Sequence, residues 1–320
     1  MAVSATRPLR FGVQLQPRRA TWPEYLQALR TIEDLGFDTV WNFDHLLAPG
    51  GDAADPCFET LTTLAAMAAS TSRIGVGTLV NGVLYRDPAT LAKSAVTVDH
   101  ISNGRLQFAL GAAWAEREFR AYGLPFPPVG ERMSRLEEAL DIVIALWTQA
   151  RTTYHGTYYT IEDAPCEPKP LQRPYPPIMI GGNGRRTLRI AARYAGVWNG
   201  MGTPETVSGA IESLRAACAA IGRDSGEIEL SVHPPLAIAA THEAAEAKAR
   251  AVTSSLGVDL DAERDRWLLG TPDEIVDQLQ RYVDIGITHW IMGAGAPYDL
   301  DGLRLFAREV FPAIRRRQAS

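Results

Sequence analysis

The chain has 320 residues, 46% of them apolar, and 32 basic against 37 acidic side chains for a net charge of −5. That acidic balance argues against a nucleic-acid groove or an anionic membrane surface as partner, and the apolar share is ample for the core of one large α/β domain. The cysteines Cys57, Cys166 and Cys218 form no CxxC pair, no window nears the ~20 apolar residues of a membrane helix, and Met1 to Pro8 lacks a signal-like apolar stretch, so a reducing cytoplasm is the expected location.

Alternation then dominates the chain: short apolar or β-branched runs, each followed by a longer amphipathic stretch, as parallel βα units require. Leu9 to Gln16 reads as the first strand, and the next helix opens at Thr21-Trp22-Pro23-Glu24 with capping-box spacing. Asp38 to Asn42 is the second strand, with a helix near Phe58 to Ser70. Arg73 to Val80 is the third, with a helix near Pro88 to His100. The fourth is Arg105 to Gly111, and its helix runs from about Glu131 to Thr148. Thr152 to Ile161 alternates around Gly156 like a small hairpin, and a proline-rich excursion follows through Pro165, Pro168, Pro170, Pro174, Pro176 and Pro177. The fifth strand, Ile178 to Ile180, precedes a helix from Arg185 to Tyr194. The sixth, Val197 to Asn199, precedes one from Pro204 to Ile221. Ile228 to Ala239 is the seventh, followed by helical stretches Glu243 to Ser254 and Pro272 to Ile285. Thr288 to Met292 is the eighth, with a final helix from about Leu300 to Arg317.

Eight such units without a break in composition favour a single (β/α)8 TIM barrel over residues 1–320, with excursions at about 115–130, 150–177 and 255–271. A doubly wound open sheet would carry a glycine fingerprint after its first strand, where this chain has Gln16-Pro17-Arg18-Arg19.

A barrel places its chemistry at the C-terminal ends of its strands. Those ends bring forward Gln14, Gln16, Asn42, Asp44, His45, Asn81, Gly82, Trp114, Glu118, the turn Gly181-Gly182-Asn183-Gly184, Asn199, and Met292 to Gly295. The glycine turn opens a helix, so its backbone can approach an anion closely while the helix directs free N–H groups at it. It also reads as a tight βα turn that merely needs left-handed conformations; its late position in the barrel favours phosphate. His45 suits proton transfer near neutral pH, or else bonds a neighbouring loop. His100, His155, His242 and His289 are weaker candidates, and His233 stays open. Trp41 and Trp290 read as core, Trp114 and Trp198 as lining for a planar ring. No HExxH, HxH or clustered carboxylates point to a metal, and no GxSxG points to a nucleophile. Cofactor-dependent chemistry fits this inventory best.

The run Trp41-Asn42-Phe43-Asp44-His45-Leu46 resembles the aspartate-histidine segment of the luciferase-like monooxygenase superfamily. So do Gly75 to Gly82, Tyr85-Arg86-Asp87-Pro88-Ala89, Ser102 to Arg105, Gly111 to Trp114, Ile178 to Gly182 and Ala191 to Asn199, in family order across most of the chain. Within the superfamily the sequence is most similar to the branch using the deazaflavin coenzyme F420. The resemblance implies a bacterial luciferase-like barrel, often dimeric, with catalytic His45 and Asp44 beside the reactive edge of the ring. It implies a non-proline cis peptide at Leu79-Val80 behind the ring, with Asn81, Gly82 and Trp114 also in contact with the cofactor. Its phosphate would lie at Gly181, Gly182, Asn183 and Gly184. Arg185, Arg186 and Arg86 are candidates for the acidic tail of F420. One departure stands out: Trp114 replaces an acidic residue of the sugar-phosphate dehydrogenase branch, so Glu118, one turn on, is the remaining acid there.

Three functions follow. The first is hydride transfer between F420 and a small organic substrate. The second is an FMNH2-dependent luciferase-like monooxygenase, with FMN as the cofactor. The third is a non-catalytic flavin-binding barrel.

Overall fold

Eight parallel strands close into a ring in the computed structural model, which describes residues 7–50 and 52–319. They are β1 (Arg10–Leu15), β2 (Thr39–Asn42), β3 (Gly75–Thr78), β4 (Leu106–Gly111), β5 (Ile178–Gly181), β6 (Val197–Gly200), β7 (Glu229–Val232) and β8 (His289–Ala294). Each pairs with the next in chain order, and β8 returns to β1 from Arg10↔His289 to Leu15↔Ala294. The helices that cover the ring are α1 (Trp22–Asp34), α2 (Thr60–Ser70), α3 (Pro88–Ile101), α4 (Val129–Thr148), α5 (Arg185–Tyr194), α6 (Pro204–Ala220) and α7 (Pro272–Val283). A last helical stretch runs from Leu300 to Ala319 through a π turn at Phe306–Val310. The expected box at α1 is present: Thr21 accepts from the Glu24 N–H, and the Glu24 side chain accepts from the Thr21 N–H.

Two strands depart from the sequence reading. The third stops at Thr78, passes a cis peptide at Leu79–Val80, and resumes as Asn81–Gly82 alongside Leu110 and Gly111 of β4. The seventh does not run from Ile228 to Ala239. It ends at Val232, because Pro234 and Pro235 have no N–H to donate. Leu236–Ile238 then leaves the barrel and pairs in parallel with Leu268–Gly270, a strand within the 255–271 stretch. The 150–177 excursion carries the expected antiparallel hairpin, Thr152–His155 with Thr160–Ala164.

The core has two layers. Outside the ring, strand side chains meet the helices: Trp290 stacks on Phe11 of the neighbouring strand at 5.4 Å between ring centroids, and Phe11 meets Phe306 of the last helical stretch at 5.7 Å. Inside it, Trp41, Leu79, Ala109, Met179, Val197 and Ile291 fill the barrel. Trp290 thus faces the helices as expected, whereas Trp41 plugs the interior. Its indole N–H donates to Thr39 Oγ1 at 2.9 Å, which also bonds His289 Nε2 at 2.9 Å. The plug fits because β3 offers it a glycine: a Cβ on Gly77 would stand 2.6 Å from the Trp41 ring and 2.7 Å from the Gln107 carbonyl oxygen. Neither neighbour can withdraw, one being packed ring and the other backbone. Gly77→Ala is therefore expected to destabilise the fold by about 1–3 kcal/mol in chemical denaturation, the range of an overpacked core; an unchanged midpoint would show that Trp41 can move.

Candidate active site

At the C-terminal ends of the strands lies a cavity of about 570 Å³. Asp44, His45, Leu79, Val80, Gly82, Trp114, Gly181 and Gly182 of the sequence-derived set line it. Asn81, Asn183 and Gly184 do not: the Asn81 amide donates to the Ala109 carbonyl at 2.8 Å and that residue is buried within the barrel wall, while Asn183 and Gly184 lie just beyond the lining glycines. Alternation explains Asn81, since neighbours on an extended segment point to opposite faces.

His45 and Glu118 form the centre of the site. The short helix Glu116–Ala121 in the 115–130 excursion carries Glu118 behind the imidazole, and its Oε1 lies 2.5 Å from His45 Nδ1. Its other oxygen accepts the amides of Leu46 at 2.5 Å and Leu47 at 3.3 Å. Burial alone would raise the carboxyl pKa, but the His45 bond and charge and the Leu46 amide outweigh it, and the net shift is downward. An ionised carboxylate only accepts, so His45 donates from Nδ1, and its Nε2 is left for the cavity. Glu118 does not line the cavity itself. It is not an acid facing the cavity; it stands behind the His45 ring.

Asp44 is organised differently. Its Oδ2 accepts from the Gly82 amide at 2.8 Å and from Arg86 at 2.7 Å, and Arg86 also holds Glu59 at 2.6 Å. Its Oδ1 is buried with no protein partner. A buried carboxylate oxygen on a cavity wall calls for a donor from a ligand.

Across the cavity, Val80 projects between two glycines. A Cβ on Gly111 would stand 2.7 Å from Val80 Cγ2, and one on Gly181 would stand 3.4 Å from Cγ1. Beyond it, Gly182 takes φ +115°, and Gly184 caps α5 without any side-chain hydrogen bond. The first amides of α5 are thus left for an anion. The Asn183 side chain is not part of that offer, for it bridges both ways to the Met201 backbone, at 2.6 and 3.2 Å. Trp198, expected as lining, is fully buried, and its indole N–H donates to the Gly182 carbonyl at 2.9 Å. It pins the turn from beneath. Of the tail candidates, Arg86 is committed to Asp44 and Glu59, and Arg186 to Glu137, while Arg185 stands exposed at the helix start.

Trp114 is 68% exposed at the mouth, its ring edge-on to His45 at 5.3 Å. His233, left open by the sequence, follows β7 directly and lines the cavity with Nε2 buried and unpartnered. Burial, then the charge of Arg266, lowers its pKa to about 4, so the ring is neutral near pH 7. Arg18 and Phe43 also line the cavity and were not singled out. The strand-end rule reaches Arg18, two residues beyond Gln16, once the first loop is read as closely as the glycine turn.

The residues present therefore fit a ring with a phosphate-bearing tail: an orphaned acceptor at Asp44, a Val80 platform cleared by glycines, and an uncapped helix start. The family model for luciferase-like monooxygenases matches residues 1–267, and the chain belongs to that family. It is 30% identical to an F420-dependent glucose-6-phosphate dehydrogenase of Microbacterium testaceum, over 98% of this chain and 100% of the relative. It is 28% identical to an FMNH2-dependent dimethylsulfone monooxygenase of Pseudomonas putida, over 93% and 90%. An F420-dependent secondary alcohol dehydrogenase, solved with an F420-acetone adduct, shares the fold at TM-score 0.86, with 20% identity over 97% of this chain and all of that one.

The sign of the Glu118 shift sets a test. A carboxyl held below its unfolded pKa adds stability that is complete above the ordinary glutamate value of 4.5 and lost as pH falls through the folded value. Glu118→Gln is expected to flatten the loss of thermal stability below that pH; an acid limb identical to wild type would show that the His45 pairing contributes nothing.

Proposed function

We propose that this protein is an F420-dependent oxidoreductase that moves a hydride between the deazaflavin and a small organic substrate. The observation that carries the reading is the His45–Glu118 pair: a base of defined tautomer on the wall of the same cavity that ends in an uncapped glycine turn. A deazaflavin held there supplies a ring carbon that gives or accepts the hydride. The amides of the Gly181 to Gly184 turn and of α5 hold its phosphate, Val80 backs the ring, and Asp44 Oδ1 accepts one of the donors brought in by ligand. Leu79, Gly82 and Trp114 complete the enclosure, while Asn81 supports the bulge from behind.

His45 handles the proton. When an alcohol is oxidised, its O–H proton passes to Nε2; when a carbonyl is reduced, Nε2–H returns it. Glu118 stays ionised and offsets the charge of the imidazolium, an arrangement that favours the charged ring at the moment it forms. The sequence identity to the F420-dependent dehydrogenase supports this cofactor over FMN. The FMNH2-dependent monooxygenase reading is supported by the dimethylsulfone monooxygenase relative, which uses the same barrel. A non-catalytic barrel would have no use for a buried carboxylate behind its histidine.

Fluorescence titration separates the two cofactors: F420 is expected to bind more tightly than FMN, and micromolar FMN binding without F420 binding would hand the site to the monooxygenase. With the best substrate from a panel of alcohols, ketones, imines and enones, His45→Ala should lower turnover about 10²–10⁴-fold while leaving F420 affinity nearly unchanged. Turnover at the wild-type rate would remove His45 from the reaction. Gly184→Asp should weaken F420 binding at least ~tenfold, because the carboxylate caps α5 and repels the phosphate, yet leave the melting temperature intact since aspartate is a good N-cap. Normal affinity in that variant would place the phosphate elsewhere.

A further inference from the structure

Arg18 is the one lysine or arginine among the described residues lining the cavity. Its Nε donates to Gln16 Oε1 at 2.9 Å and its Nη1 to the Pro49 carbonyl, both neutral acceptors. No carboxylate among the described residues lies within ion-pair distance of it; the nearby Asp55 is taken by Arg19 at 2.7 Å. Burial, then the charge of Arg19, pulls the Arg18 pKa down, the direction expected of a cation short of an opposite charge. A half-buried guanidinium with only neutral partners is costly to keep, and it is well shaped to receive a carboxylate or phosphate.

Its position separates it from the anion site described above. Arg18 follows β1, whereas the glycine turn follows β5. In the ring, β2, β3 and β4 lie between them on one side and β6, β7 and β8 on the other, so they stand on opposite walls. A cofactor phosphate seated at Gly182 to Gly184 cannot also reach Arg18. The arginine is instead tied to the loop that carries His45: its backbone bridges Cys57, whose thiol points to the His45 carbonyl at 3.6 Å, and its guanidinium holds Pro49. His233, just past β7 and midway around the ring between β1 and β5, presents its unpartnered Nε2 to the same cavity.

We propose that the substrate carries an oxyanion, carboxylate or phosphate, and that Arg18 receives it and so places the reacting carbon beside His45. This rests on the oxidoreductase reading, whose phosphate turn would be occupied by the cofactor. Arg18 is a specificity residue in this scheme, and His233 Nε2 is available to a second polar group of the same substrate.

The test uses the whole protein loaded with F420, so that the turn is filled. Inorganic phosphate and acetate are titrated in separately, with chloride as control, and read by thermal shift and by Trp114 fluorescence. Wild type is expected to bind one of the two anions saturably, Arg18→Met to lose at least ~tenfold in affinity, and Arg18→Lys to recover part of it. Saturation by phosphate alone names a phosphorylated substrate, and by acetate alone a carboxylate. Matched pairs then test turnover: lactate against methyl lactate, and glycerol 3-phosphate against glycerol. Preference for the charged member, lost in Arg18→Met through KM rather than kcat, supports the proposal. Equal use of both members, or anion binding that is absent in wild type or unchanged in Arg18→Met, overturns it. If F420 itself fails to bind, the cofactor reading fails, and phosphate titration of the unloaded protein still decides Arg18: a component lost only in Arg18→Met sustains it, and identical isotherms remove it.

Discussion

A carboxylate taken out of water must be matched by donors or give up its charge, and Glu118 is 2% exposed. It is matched chiefly by the His45 ring and by the amides of Leu46 and Leu47. These donors belong to the loop after β2, while Glu118 belongs to the excursion after β4. Two loops that the barrel merely places near each other are thereby locked as one wall. The lock has chemical content as well, because the acceptor that satisfies Nδ1–H determines which nitrogen is left to act. Tyr85, whose ring stacks on Phe119 at 4.5 Å, feels the same charge: burial and then Glu118 push its hydroxyl pKa upward, so it stays protonated beside the carboxylate. The Tyr85 hydroxyl also feels the charge of Asp44, so it stands between the carboxylate behind His45 and the one held by Arg86.

Much of this architecture is legible in the sequence because periodicity and position carry it. Alternating runs mark the eight strands, Thr21 and Glu24 mark a helix start, and the strand-end rule reaches Asp44, His45 and the glycine turn without any contact being known. Long-range pairing is what the pattern cannot hold. Nothing in the residues around Glu118 says that it will stand behind His45, since the two are joined only through the closed ring. The seventh strand misled because Ile228 to His233 alternates apolar and polar as a strand does and Leu236 to Ala239 is again apolar, so the two prolines between them read as an interruption rather than an end. Trp198 misled for a related reason: a residue near a strand end lies at the mouth, yet whether it faces in or beneath depends on register, which a single residue shifts. Asn81 follows the same rule at the bulge beside Val80.

The two halves of the cavity are built from different materials, and that difference has consequences for what can vary. The half near β3, β4 and β5 is made by backbone: glycines that clear room for Val80, amides at the start of α5, and a carbonyl held down by Trp198. Side chains there would collide with Val80, as a Cβ on Gly111 does at 2.7 Å, so this half admits little change without losing its shape. The half near β7, β8 and β1 is made by side chains, with Gln14 holding the Leu79 carbonyl at 3.0 Å, Gln16 reaching Gln14 at 3.3 Å, and Arg18 reaching Gln16. With the cofactor seated as proposed, a scaffold divided in this way would keep a ring-and-phosphate ligand on its backbone-built side and leave the other side to the substrate. Trp114 and the excursion that carries Glu118 sit at the junction, where a change must satisfy the base as well as the substrate.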